Sequence, residues 1–180
     1  MMKLMTHCSG LSGADRPSSN NNKFNLLGFS DGSRTAIHLA ATFPEAVEKL
    51  ILVGCTSYNS PKEKKVFELC RSVDGWSEDR RKLYEQLYGS RATLQRLWSD
   101  WIDANARLTD FASDQLPKVA CPTLLLFGEN DIIAPVEPHA RHLKRNLANS
   151  RIHIFAKTAH NCHQERPTEF NAIVERFLLN

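Results

Sequence analysis

Three side chains in the sequence could together activate a nucleophile. Ser30 lies in the segment Gly28-Phe29-Ser30-Asp31-Gly32, Asp131 follows about a hundred residues later, and His160 lies near the carboxyl end. A hydroxyl is a poor nucleophile until a neighbouring imidazole takes its proton, and a carboxylate must hold that imidazole in the required tautomer. The order Ser, Asp, His therefore predicts nucleophilic catalysis of acyl transfer at Ser30.

Each of these residues follows a run that is typical of a buried strand. The runs before Ser30, Asp131 and His160 are Phe24–Gly28, Pro122–Phe127 and Arg151–Phe155. In a parallel sheet the carboxyl ends of the strands share one edge, so side chains just beyond them meet at one site. The flanking glycines suit a sharp turn from strand to helix around Ser30.

Each candidate also has a structural alternative. Ser30 could be a helix N-cap, and Asp131 could be a turn residue, with Glu129 and Asp114 as rival acids. Cys162 and His163 lie close to His160, but the sequence has no second ligand cluster with zinc spacing. We therefore predict neither a metal nor a cofactor.

The elements that must position these residues alternate along the chain. A fourth strand is predicted in Val47–Gly54, and helices are predicted for Thr35–Phe43, Val136–Leu147 and Thr168–Leu179. Alternating strands and helices predict an α/β fold with about four parallel strands and helices on both faces. Residues 60–115 contain no strand-like run but many aromatic and charged residues, which predicts several inserted helices.

Composition excludes several classes of protein. The chain has 180 residues and a net charge of only +3, so nothing favours binding to nucleic acid. No apolar run has the length of a membrane span. The five cysteines form no CxxC pair, which favours an intracellular protein, cytoplasmic or mitochondrial, although no clear targeting signal is present. Residues 1–22 are rich in Ser, Asn and Gly, and we expect a disordered tail.

Several motifs resemble the valacyclovir hydrolase (biphenyl hydrolase-like) family of the α/β-hydrolase superfamily. The resemblance covers the chain from about Phe24 to its end and is carried by Gly28-Phe29-Ser30-Asp31-Gly32, Gly75-Trp76-Ser77-Glu78, Leu87-Tyr88-Gly89, Gly128-Glu129-Asn130-Asp131 and His160-Asn161. It implies one α/β-hydrolase domain over residues 23–180, with a helical cap inserted at about 60–115. The motifs around Trp76 and Tyr88 separate this family from the larger superfamily.

The resemblance also implies roles for residues. Ser30 would be the nucleophile, Asp131 the acid and His160 the base of a hydrolase that acts on small esters of α-amino acids. The carboxylate of Asp31 would pair with the substrate's ammonium group, its backbone N–H would stabilise the oxyanion, and Ile133 would line the acyl pocket. For Asp31, an acidic residue favoured in the first turn of a helix is the structural alternative.

The sequence departs from the family at two places. Ser33 stands where the family usually has a second glycine, and the strands that the family places before its nucleophile strand are not found before Phe24. We therefore expect a partial α/β-hydrolase fold in which Phe24–Gly28 is an edge strand open to self-association, and in which one oxyanion-hole donor is missing. A catalytically silent fold that acts through protein association and a different α/β-hydrolase carboxylesterase remain the alternatives.

Overall fold

A four-stranded parallel sheet organises the chain in the computed structural model, which describes residues 23–180; the predicted tail lies outside these residues. The strands lie in the order β1-β2-β3-β4. Their bounds are Phe24–Phe29 for β1, Val47–Val53 for β2, Thr123–Gly128 for β3 and Ser150–Phe155 for β4. The predicted parallel sheet is confirmed, and each observed strand overlaps its predicted run.

The two central strands are buried on both faces. In β2, Leu50 and Leu52 belong to one apolar cluster, whereas Ile51 and Val53 belong to the other. Successive side chains of a strand point to opposite faces, so a continuous apolar run serves both. This arrangement explains the continuous apolar runs Leu50–Val53 in β2 and Leu124–Phe127 in β3.

Helices cover both faces of the sheet. On one face lie α1 (Asp31–Thr42) and α5 (Arg141–Asn146), which contribute Ile37 and Leu143 to the first cluster. On the other lies α7 (Pro167–Leu179), whose Phe170 and Phe177 pack against the second. A short helix, α6 (Cys162–Glu165), precedes α7. Among residues 23–180, the sheet and these helices form one compact unit that consists of residues 23–57 and Ala112–Asn180.

The predicted helix over Val136–Leu147 is only partly helical. Its first part, Val136–Ala140, is a distorted turn in which Glu137 has φ −100° and ψ 125°. Pro138 follows Glu137, and a residue before proline is sterically pushed from the helical to the extended region. Regular helix therefore begins only at Arg141.

Residues Tyr58–Phe111 form a second compact unit, whose regular elements are all helices apart from one isolated bridge between Tyr58 and Asp110. Its α-helices are α2 (Pro61–Leu69), α3 (Glu78–Tyr88) and α4 (Arg91–Arg107). Aromatic side chains hold the unit together: Trp98 stacks on Trp101 at 5.0 Å between ring centroids and meets the edge of Trp76 at 5.2 Å. The predicted insertion of several helices between β2 and β3 is confirmed.

Strand β1 forms one end of the sheet within the described part of the chain. Its neighbour is β2, with Leu26 paired to Leu50 and Gly28 to Leu52.

Short 3₁₀ turns at Val73–Gly75 and Leu116–Lys118 complete the elements. Within residues 23–180 we find no helix with the length and apolar character needed to cross a membrane.

Candidate active site

Ser30 sits in a strained turn between β1 and α1. Its backbone has φ 53° and ψ −121°, values that a residue other than glycine rarely adopts, and its N–H donates to Val53 O at 2.8 Å. A Cβ placed on Gly28 would lie 2.5 Å from Gly32 O, so only glycine allows the helix to start this close to the strand. The hydroxyl of Ser33 braces the turn by donating to Gly28 O at 2.8 Å.

The structure brings Ser30, His160 and Asp131 into one hydrogen-bonded chain. His160 Nε2 lies 2.8 Å from Ser30 Oγ, and His160 Nδ1 lies 2.7 Å from Asp131 Oδ2. With Nδ1 donating to the carboxylate, Nε2 is left as the acceptor for the hydroxyl proton. This is the geometry that a serine nucleophile needs from its general base.

Asp131 is held by its own loop. Its side chain is fully buried, and its Oδ1 accepts hydrogen bonds from the backbone amides of Ile133 (2.8 Å) and Ala134 (2.9 Å). These two donors and His160 together engage both carboxylate oxygens, which offsets the cost of burying the charge. Ile133 therefore contributes a backbone contact that the sequence did not indicate, while its side chain is half-buried.

Gly54 and Phe29 pack against the imidazole of His160. Gly54, just after β2, has φ 55°, and a Cβ there would lie 2.9 Å from His160 Cε1. The ring of Phe29 lies 5.0 Å from the imidazole, between centroids. The only signal for Gly54 in the sequence is a glycine at the carboxyl end of a strand, the same signal that marks Gly28 and Gly128.

Asp31 begins α1, directly after Ser30. Because it is the first helical residue, no carbonyl of the helix accepts a hydrogen bond from its backbone N–H. This N–H is therefore available to an oxyanion. Its carboxylate is 55% exposed, and Oδ1 pairs with Arg34 Nη1 at 3.1 Å. The ion pair with Arg34 was not predicted from the sequence.

The rival acids have other roles. Glu129 Oε2 accepts a hydrogen bond from the backbone N–H of Lys157 at 2.8 Å, and Asp114 is exposed and bonded to Gln115. No group of three or more potential metal ligands occurs among residues 23–180. Asp131 is therefore the acid that the fold places on His160.

His163 is a second histidine beside this site. Its ring meets Phe29 edge-on at 4.5 Å, and its Nδ1 is buried without a hydrogen-bond partner in the described structure. Burial lowers the pKa of His163 below its ordinary value, and the neighbouring His160 lowers it further. Its packing therefore favours the neutral form of His163 beside His160.

Known proteins resemble this chain in sequence and fold. Serine hydrolase BPHL of Mus musculus is 35% identical over 158 residues, which are 85% of this chain and 54% of that protein. Serine hydrolase BPHL of Homo sapiens is 36% identical over 160 residues, 87% of this chain and 55% of that protein. The crystal structure of MGS-M2, an α/β-hydrolase from a Medee basin deep-sea metagenome library, superposes with a TM-score of 0.72 at 20% identity and covers 89% of this chain and 66% of that one.

The match covers only part of each relative. The chain spans about half the length of the two BPHL relatives. No family model matches it. The resemblance predicted from the motifs is confirmed by these relatives, and the partial fold agrees with the share of MGS-M2 that is covered. In its sheet and flanking helices the chain has a partial α/β-hydrolase fold, and over 85% to 87% of its length its sequence is similar to serine hydrolase BPHL.

Proposed function

We propose that this chain is a serine hydrolase of small carboxylic esters, with Ser30 as nucleophile, His160 as general base and Asp131 as the orienting acid. The observation that carries the proposal is the position of His160, 2.8 Å from Ser30 and 2.7 Å from Asp131. The name of the BPHL relatives supports the same reaction class.

The reaction runs in two halves. His160 Nε2 takes the Ser30 proton as Oγ attacks the ester carbonyl, and it then gives that proton to the departing alcohol, which leaves an acyl-enzyme. Water then repeats the sequence: His160 removes a proton from it, the acyl–oxygen bond breaks, and Ser30 regains its proton. Asp131 stabilises the imidazolium in both halves.

The oxyanion is stabilised by the N–H of Asp31 in this proposal. Within residues 23–180 we assign no second donor. Removal of one such donor typically lowers turnover by about 100- to 1000-fold. With the Asp31 N–H as its single assigned donor, the proposed site would turn over esters slowly.

The substrate class follows from Asp31. Its carboxylate is exposed directly beside Ser30, and Oδ2 has no partner in the described structure. A carboxylate in this position favours a substrate that carries an ammonium group close to the ester carbonyl. Esters of small α-amino acids, with Ile133 against the acyl side chain, have this arrangement.

Hydrolysis of L-valine methyl ester tests the proposal. We expect slow release of methanol that is lost in S30A and that exceeds the release from methyl isovalerate, the matching ester without the amine. D31N should reduce the rate on the valine ester more than the rate on methyl isovalerate. Equal losses on the two esters would remove the role of Asp31, and no Ser30-dependent hydrolysis of either would remove the enzymatic function.

A further inference from the structure

Arg34 is the unexpected feature of the nucleophile turn. It lies one helical turn after Asp31 on α1, and its side chain is only 13% exposed. Its Nη1 donates to Asp31 Oδ1 at 3.1 Å. A largely buried guanidinium therefore pairs with the carboxylate to which we assign recognition of the substrate's ammonium group.

The guanidinium is fixed in place from its other side. Nε donates to the carbonyl oxygen of Thr56 at 3.3 Å, and Nη2 donates to Thr56 Oγ1 at 2.8 Å. Thr56 is itself buried, in the loop that follows β2. Because both ends of the planar fork are engaged, Arg34 cannot swing away when a ligand approaches Asp31.

Arg34 keeps its charge despite burial. Removal from water lowers the pKa of the Arg34 guanidinium, and the Asp31 carboxylate opposes that shift. An arginine side chain stays protonated under any ordinary condition because its pKa begins so high. Asp31 therefore faces a permanent positive charge about 3 Å from one of its oxygens.

We infer that Arg34 is a specificity-determining residue that weakens the preference of this site for ammonium-bearing esters by neutralising part of the charge on Asp31. This inference rests on the proposed function. Oδ1 is occupied and Oδ2 alone remains for a ligand, so the ammonium group binds an ion pair rather than an isolated carboxylate. A guanidinium this close also repels the incoming cation.

The consequence is a site of broader tolerance. A free carboxylate would favour amino-acid esters strongly over neutral esters of the same shape. With Arg34 in place, the kcat/KM for neutral esters is closer to the kcat/KM for amino-acid esters. The substrate class that follows is small acyl esters in general, with amino-acid esters preferred by a modest factor.

The test compares two matched esters in four variants. The ratio of kcat/KM for L-valine methyl ester to that for methyl isovalerate is measured in wild type, R34M, D31N and R34M/D31N. Loss of the triad, of the oxyanion donor or of folding lowers both rates, whereas the ratio reports only the interaction with the amine. R34K, which keeps the charge, is the matched control.

We expect R34M to raise the ratio by about 10-fold, R34K to leave it within about twofold of wild type, and R34M to have no effect on it in the D31N background. An unchanged or lower ratio in R34M would overturn the inference, because Arg34 would then only position Asp31. An equal rise in the D31N background would overturn it as well, because Arg34 would then act independently of Asp31.

Failure of the proposed function would be recognised separately. If wild type hydrolyses neither ester in a Ser30-dependent way, binding of L-valinamide followed by NMR decides the inference instead. Binding to R34M that is about 10-fold tighter than to wild type would support it, and equal or weaker binding would overturn it.

Discussion

At the scale of single residues, the candidate site depends on close contacts around His160. The imidazole is held between Ser30 and Asp131 by two hydrogen bonds and against Gly54 and Phe29 by packing. A general base must lie within hydrogen-bond reach of the proton that it removes, so small displacements of this ring matter.

Gly54 provides a test of that packing. G54A places a methyl group 2.9 Å from His160 Cε1, and we expect kcat on small esters to fall by about 100-fold because a displacement of about 1 Å at a reacting group costs this much. G89A is the matched control, since Gly89 also has a positive φ of 86° but has nothing within 4 Å of the added methyl. Both variants should lose stability, and only G54A should lose activity. Equal activities in the two would contradict the role assigned to Gly54.

His163 links stability to pH. Because its pKa is lowered on folding, the unfolded chain binds more protons than the folded one as pH falls below the ordinary value of 6.5. Its contribution to stability is therefore complete above pH 6.5 and is lost as pH falls through the folded pKa. Glutamine cannot be protonated in this way. We therefore expect the free energy of unfolding of H163Q, relative to that of wild type, to rise as pH falls from about 8 to about 5, as measured by urea unfolding. A difference that is the same at both pH values would contradict this account.

The meeting of Ser30, Asp131 and His160 could be predicted from the sequence, whereas their surroundings could not. Each of the three follows a strand of one parallel sheet, so topology alone brings them to one edge. The contact of Gly54 with His160 and the clamp of Arg34 on Thr56 depend on the exact course of loops, which no local pattern specifies. Residue types that serve many structural purposes, such as glycine and arginine, carry no such signal by themselves.

At the scale of elements, the helices of the second unit differ in how their first turns are capped. Ser60 Oγ accepts from the N–H of Lys62 at 3.2 Å before α2, and Glu63 Oε2 accepts from the N–H of Ser60 at 2.8 Å. Ser77, before α3, makes no side-chain hydrogen bond to its helix. The same residue type therefore stabilises one helix and not the other.

We expect S60A to lower the free energy of unfolding by about 1 kcal/mol, the usual value of such a cap. S77A, the matched control, should change it by less than about 0.5 kcal/mol, as surface substitutions usually do. Urea unfolding followed by circular dichroism measures both. Similar losses in the two variants would show that the capping contacts of Ser60 do not stabilise α2.

Element type was predicted well where apolar periodicity was continuous, as in β2, β3 and α7. It was predicted less well at Val136–Ala140, where apolar residues have helical spacing but Pro138 forces Glu137 out of the helical region. The start of α1 was also missed by four residues, because Asp31–Arg34 reads as a turn and not as the first turn of a helix. The first and last residues of a helix or strand depend on local steric contacts, which a pattern of residue types does not describe.

At the scale of the whole molecule, the side of β1 that faces away from β2 has the largest consequence, because no strand within residues 23–180 pairs with it. Phe24 and Ser30 donate their N–H groups to Ala46 and Val53, on the β2 side. Residues of a strand alternate in the neighbour they face, so Asn25, Leu27 and Phe29 direct their backbone groups away from β2. An apolar strand whose backbone N–H and C=O groups are unpaired can form hydrogen bonds with a strand of another molecule.

We expect the protein to self-associate through this edge, more strongly as its concentration rises. N25P should weaken the self-association because proline has no N–H to donate. N25A, which keeps the N–H, is the matched control and should behave like wild type. Sedimentation velocity over a range of concentrations measures the effect. A wild type that stays monomeric throughout, or an N25P that associates equally, would contradict the role of this edge.

The central claim is that Ser30 is a nucleophile activated by His160. Labelling with a fluorophosphonate tests it most directly, because the probe reacts with an activated serine and does not depend on recognition of a particular ester. In folded wild type we expect a single adduct on Ser30, found by mass spectrometry. Labelling should be absent in S30A and at least about 100-fold slower in H160A, the usual contribution of a general base. Folded wild type that stays unlabelled, or S30A that labels as fast as wild type, would contradict the account.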